Sequence, residues 1–172
     1  MIDWAELYRE TYGDLVRYLH RKVWDGERAR DLAQEVFSRA LQHDAARGAA
    51  PERPRAWLFT IASNLARDEA KSVLRRKHHL TLLAGESSGQ ARERADAALD
   101  RAEQERSARA ALEELGERDR EVLLLWDAGL SYPEIAAQTG LAAGAIGTTL
   151  ARARRRLVEA HEALEAKHVA RG

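Results

Sequence analysis

The chain has 172 residues, 45% of them apolar and 33% charged, and its 28 Lys and Arg cancel 28 Asp and Glu. That is enough length and apolar content for one ordinary domain or two small ones, and it excludes wholesale disorder. Zero cysteines exclude a disulfide scaffold, a cysteine-based zinc site and thiol catalysis, no stretch is long and apolar enough to cross a membrane, and Met1-Ile2-Asp3-Trp4 lacks the features of a signal peptide, so a soluble intracellular protein is expected.

Ala, Leu, Arg and Glu dominate and only three prolines occur, Pro51, Pro54 and Pro133. These residues lose little on entering a helix, and no alternating run reads as a strand, so the expected fold class is all-α. Three or four helices are expected in the first half. In a helix from about Ala29 to His43, Leu32, Val36, Phe37, Ala40 and Leu41 share one side. Asp31, Gln34, Glu35, Ser38 and Gln42 then form a continuous polar stripe at i, i+3, i+4, i+7 spacing. Gly48, Pro51 and Pro54 make residues 44–54 a loop, because each proline removes a donor and restricts the residue before it. The next helix, about Pro54 to Lys77, takes proline in its first turn and ends in Arg75-Arg76-Lys77, where cations suit the negative end of the helix dipole.

Gly85 and Gly89 around two serines mark a flexible linker. The expected organisation is a first domain over residues 1–79, a linker over 80–91 and a second domain over 92–172. Beyond the linker, helices are expected over Arg92–Leu115 and Glu117–Ala128, with the apolar run Val122 to Trp126 and a stop at Gly129. Ser131-Tyr132-Pro133-Glu134 then reads as a capping box with proline in the first turn. The short helix it opens stops at Gly140, and another follows from about Ala143 to Ala166. Two helices joined by a glycine-containing turn, with small Ala136 where they cross, form a helix-turn-helix pattern.

The neutral total hides zones. Residues 38–79 hold nine basic side chains against four acidic, whereas residues 80–121 hold seven against eleven. Arg55, Arg67, Lys71, Arg75 and Arg76 accompany Trp57 and Asn64 along one helix, combining phosphate neutralisation, a stacking surface and a base-edge hydrogen bond. A solvated helix with a basic end fits the same charges, and Trp57 fits a core position. The second basic run, Arg152-Ala153-Arg154-Arg155-Arg156, lies late on the second helix of the helix-turn-helix, yet no Lys or Arg occurs between Arg120 and Arg152. There is no Walker loop, HExxH motif or nucleophile elbow, and the six histidines are not at ligand spacing. Neither an enzyme nor a metal or other cofactor is expected.

Taken in order, Asp31-Leu-Ala-Gln34-Glu35-Val-Phe37, Arg55-Ala-Trp57-Leu58-Phe59-Thr-Ile61-Ala62-Ser-Asn64-Leu65-Ala66, a soft linker, Leu130-Ser-Tyr-Pro-Glu134-Ile135-Ala136 and Leu150-Ala-Arg152-Ala-Arg154 resemble the extracytoplasmic-function (ECF) sigma factors, the small two-domain members of the bacterial sigma-70 family. The resemblance implies that Asp31, Gln34 and Glu35 dock on the clamp helices of the RNA polymerase β′ subunit, with the β subunit as a further contact. It implies that Arg55, Trp57, Asn64, Arg67, Lys71, Arg75 and Arg76 act at the −10 promoter element, where an unpaired base is flipped out. Tyr132, Thr148, Thr149, Arg152 and Arg154 fall to the −35 element. An anti-sigma factor that clamps both domains is implied as a partner, and the linker's dozen residues reach at most roughly 40 Å when extended.

This chain departs from the family pattern in the second helix of the motif, where Gly147 and Thr149 stand at positions often occupied by Lys or Arg. Weak −35 recognition is therefore expected, with Thr149→Arg strengthening it. Two other readings use fewer of these residues: a sigma-like decoy acting only through protein contacts, and a simple helix-turn-helix regulator.

Overall fold

The computed structural model describes the backbone of residues 2–47, 51–83 and 96–169. Among the described residues every regular element is helical. The chain divides into two compact units, Met1–Ser88 and Gly89–Gly172.

In the first unit, Asp3 caps α1 (Trp4–Val23) by accepting from the backbone N–H groups of Ala5 and Glu6, at 3.0 Å each. Trp24 ends α1 in the left-handed region at φ 55°, unusual for a residue with a Cβ, and its N–H donates to the His20 carbonyl at 2.7 Å. Asp25 then accepts from the Arg28 N–H at 3.0 Å, opening α2 (Gly26–Arg47) before the residue at which periodicity starts. At its other end α2 runs on to Arg47, so residues 44–47, expected as loop, are helical, because no Gly or Pro occurs between Gly26 and Gly48. Proline begins α3 (Pro54–Leu83) as expected. However, α3 runs six residues past Lys77, because no helix breaker occurs before Gly85. Residues 80–83, read as linker, are thus helical; the rest of that stretch lies outside the described residues.

The three helices bury one another's apolar stripes: Leu15 and Leu19 from α1, Leu32 and Val36 from α2, Leu58 and Phe59 from α3. Tyr18 meets Phe59 edge to face at 5.4 Å. Polar cross-ties complete the unit. The Trp4 indole N–H donates to Asp44 at 2.9 Å, Arg28 pairs with Glu69 at 2.7 Å, and Arg55 pairs with Asp14 at 2.7 Å.

The second unit holds α4 (Asp96–Glu113), α5 (Glu117–Asp127), α6 (Tyr132–Thr139), one 3-10 turn (Ala143–Ala145) and α7 (Ile146–Val169). The capping box forms: the Glu134 carboxylate accepts from the Ser131 N–H at 2.8 Å and from its hydroxyl at 2.7 Å. Gly140 closes α6 at φ 70°, a conformation open to glycine without a Cβ penalty, and so makes the turn of the motif. Val122 and Leu125 of α5, Ile135 of α6, and Ile146, Leu150 and Ala153 of α7 form the core, with Leu112 and Leu115 closing it.

The entry into α7 is soft. Ala142 offers no side-chain cap, and the first turn is 3-10, the local cost of Ala142-Ala143-Gly144 where a capping residue would serve. At Gly147 an added Cβ would sit 3.6 Å from the Tyr132 ring, an ordinary contact, and the φ is not in the left-handed region. Gly147→Ala is therefore expected to stabilise the second unit by about 0.5–1 kcal/mol. Thermal denaturation should show a rise of a few degrees.

Candidate nucleic-acid interface

Burial on α2 leaves its polar stripe outward. Asp31 and Gln34 are exposed and Glu35 is half-buried, pairing with Arg39 one turn on at 2.6 Å. Beside Gln34 runs a shallow groove of about 510 Å³ between α1 and α2, lined by Trp4, Tyr8, Phe37, Ser38 and Leu41. A polar stripe bordering an aromatic groove offers charge complementarity and apolar area on one face.

On α3 the positions expected to meet DNA separate into two groups. Asn64, Arg67, Lys71 and Arg75 are exposed, at helical spacing on one side of the rod, with Trp57 half-buried at its near end beside His43, ring centroids 5.0 Å apart. Arg67 Nη1 donates to Asn64 Oδ1 at 3.2 Å, steadying the amide and leaving its NH2 as a donor. Arg55 belongs elsewhere. Its guanidinium lies against the Phe59 ring at 5.7 Å and pairs with Asp14, which also takes Arg17, so it ties α3 to α1. The Arg76 side chain lies outside those described.

The helix-turn-helix redistributes its candidates more strongly. Tyr132 is 43% exposed and Thr148 is exposed, its hydroxyl donating back to the Ala145 carbonyl at 3.0 Å. Thr149 is only 5% exposed. It falls on the same side of α7 as the buried Ile146, Leu150 and Ala153, so it packs inward and an arginine in its place would have to be driven into the core; Thr149→Arg no longer carries the expectation of tighter binding.

Arg152 is half-exposed but committed. Its Nε and Nη2 donate to the two oxygens of Asp119 at 2.9 and 2.5 Å, and Arg156 Nη1 adds a third hydrogen bond at 3.2 Å. Asp119 is 4% exposed in the first turn of α5. The Arg152 hydrogen bonds hold its carboxyl below the usual carboxylate range against the opposing effect of burial, with the charges of Arg152, Arg156 and Arg118 helping.

Because the folded state favours the ionised form, this stabilisation is fully present above the ordinary carboxylate range and is lost as pH falls through and below it. Acid titration should lower the melting temperature of the wild-type chain more steeply than that of Asp119→Asn between about pH 5 and 3.

Arg154 stacks over the exposed Trp126 ring at 3.8 Å from its centroid, a cation–π contact. Sequence reasoning placed Trp126 in an apolar run and passed over Asp119 entirely. The only signal for Asp119 was an acid in a first helical turn, which helix dipoles explain equally well. Among the described residues no group of three His, Cys, Asp or Glu could hold a metal ion, and no helix is long and apolar enough to cross a membrane.

Comparison with known proteins follows the same division. Residues 7–77 match the family model "Sigma-70 region 2" and residues 105–157 match "Sigma-70, region 4". The chain is 34% identical over 146 residues to the ECF RNA polymerase sigma factor SigL of Mycobacterium tuberculosis, covering 84% of this chain and 80% of that one. It is 33% identical over 158 residues to the RNA polymerase sigma factor YlaC of Bacillus subtilis, covering 87% and 86%. Among solved structures, CnrH in complex with the cytosolic domain of CnrY aligns at TM-score 0.64 and 27% identity, over 93% of this chain and 88% of that one. The sigma factor RpoE with the anti-sigma factor NepR from Bartonella quintana aligns at TM-score 0.65 and 24% identity, over 93% and 97%, a likeness of fold. The chain belongs to the ECF group of the sigma-70 family and is an RNA polymerase sigma factor.

Proposed function

We propose a division of labour in which residues 1–79 bind core polymerase and act at the −10 element, residues 80–91 link, and residues 92–172 meet the −35 element. Asp31, Gln34 and Glu35, with the aromatic groove beside them, form the face toward the β′ clamp helices. Asn64, Arg67, Lys71 and Arg75, with Trp57 at their head, hold the opened strand: the cations take its phosphates, the indole supplies stacking area and the Asn64 amide a hydrogen bond to a base edge. Tyr132, Thr148 and Arg154 face the −35 duplex, a small contact set that predicts weak recognition there. Arg55 and Arg152 act mainly within their own units.

The observation that carries this reading is the outward face of α3, where an amide and three cations follow a half-buried tryptophan at helical spacing. The protein acts as an initiation factor rather than an enzyme, in the bacterial cytoplasm, where the polymerase supplies the chemistry. Since both structural relatives were solved with partners, one of them named an anti-sigma factor, a regulator of that kind is proposed here too.

Run-off transcription with purified core polymerase tests the whole scheme. Initiation from a specific promoter is expected. Core binding without initiation would fit a decoy, and DNA binding without core binding would fit a simple regulator.

A further inference from the structure

Four arginines lie on α7 between residues 152 and 156, yet Asp119 holds two of them. A carboxylate presents paired acceptor oxygens to a guanidinium much as a phosphate does, and Arg152 already spends the Nε and Nη2 edge with which it would grip a phosphate in bidentate fashion. We propose that Asp119 stands in for a DNA phosphate inside the protein, withholding Arg152 and Arg156 from the duplex and keeping the free chain's hold on non-specific DNA weak.

A DNA phosphate must compete with an acceptor that belongs to the same molecule and so sits at high effective concentration. That acceptor is also buried in the first turn of α5, where the helix dipole and Arg118 favour negative charge. Of the remaining pair, Arg154 lies on Trp126 and Arg155 reaches Glu159 only at 3.9 Å, with both side chains largely exposed. Arg155 is therefore the internal control, a cation of the same run that Asp119 does not hold. The inference rests on the reading that α7 faces DNA.

The full-length chain is titrated with a short fluorescent duplex of random sequence over a salt series, at a temperature where every variant is folded. Asp119→Asn is expected to bind several-fold more tightly, its log affinity falling more steeply with log salt by about 0.9 for each arginine released. Adding Arg152→Gln and Arg156→Gln to Asp119→Asn should abolish that gain. An unchanged or shallower slope in Asp119→Asn overturns the proposal.

Arg155→Gln separates the two levels. A shallower slope in Arg155→Gln with no gain in Asp119→Asn overturns the withholding role alone, whereas no effect of either overturns the DNA-facing reading of α7 as well. A measurement on the unaltered chain needs no variant to fold: on adding duplex, the Arg155 Nε–H resonance should move and that of Arg152 should stay. Movement of the Arg152 resonance overturns the proposal.

Discussion

Asn64→Ala is expected to lower specific run-off transcription by about five- to 150-fold, the equivalent of about 1–3 kcal/mol for one base-edge contact. The effect should appear in promoter opening rather than in core binding, because Asn64 projects from α3 and the proposed polymerase face lies on α2. Stability should barely change. The side chain is exposed, and its partner Arg67 is exposed too, so removing the amide orphans no buried group and the melting temperature should move by less than about 0.5 kcal/mol equivalent. Permanganate footprinting of unpaired thymines reports the opened strand directly. Full opening by the variant would remove Asn64 from the proposed base contact.

Phe59→Ala is expected to destabilise the first unit by about 3–5 kcal/mol, enough to leave much of it unfolded given typical domain stabilities. Phe59 has no exposed surface, meets Tyr18 edge to face and carries the Arg55 guanidinium against its ring. Truncation therefore opens a cavity at the point where α1 and α3 meet and removes the surface on which the Arg55–Asp14 tie rests. Denaturant unfolding of the full chain should show the first unit's transition at lower midpoint. The second unit's transition should stay in place, since Phe59 packs within Met1–Ser88. Two independent transitions behave this way only if each unit holds its own core, as the separate buried clusters around Leu58 and Leu125 indicate.

The helices were legible because their signals are local. The proline opening α3, the Ser131–Glu134 box and Gly140 each act within a few residues of themselves, and each marks the helix end it was expected to mark. Errors arose where local cues were silent. Nothing between Lys77 and Gly85 breaks a helix, and nothing at Ala142 caps one, so α3 overran its expected end and α7 began through a 3-10 turn. The outward stripe on α2 and the exposed face of α3 were likewise readable, because the apolar spacing that buries one side of a helix dictates the other.

By itself, then, the sequence determined the all-helical class, the two halves, the helix-turn-helix and the family, all of which follow from neighbours in the chain and from motif order. The tertiary structure alone decided which cations remain available. Asp14 and Arg55 are 41 residues apart, and Asp119 and Arg152 are 33 apart, so no periodicity connects them. The same holds for Thr149, whose inward turn depends on which side of α7 meets α5 and α6. A charge read along the chain is a formal quantity. Its reach toward DNA depends on whether folding has already set an opposite charge against it.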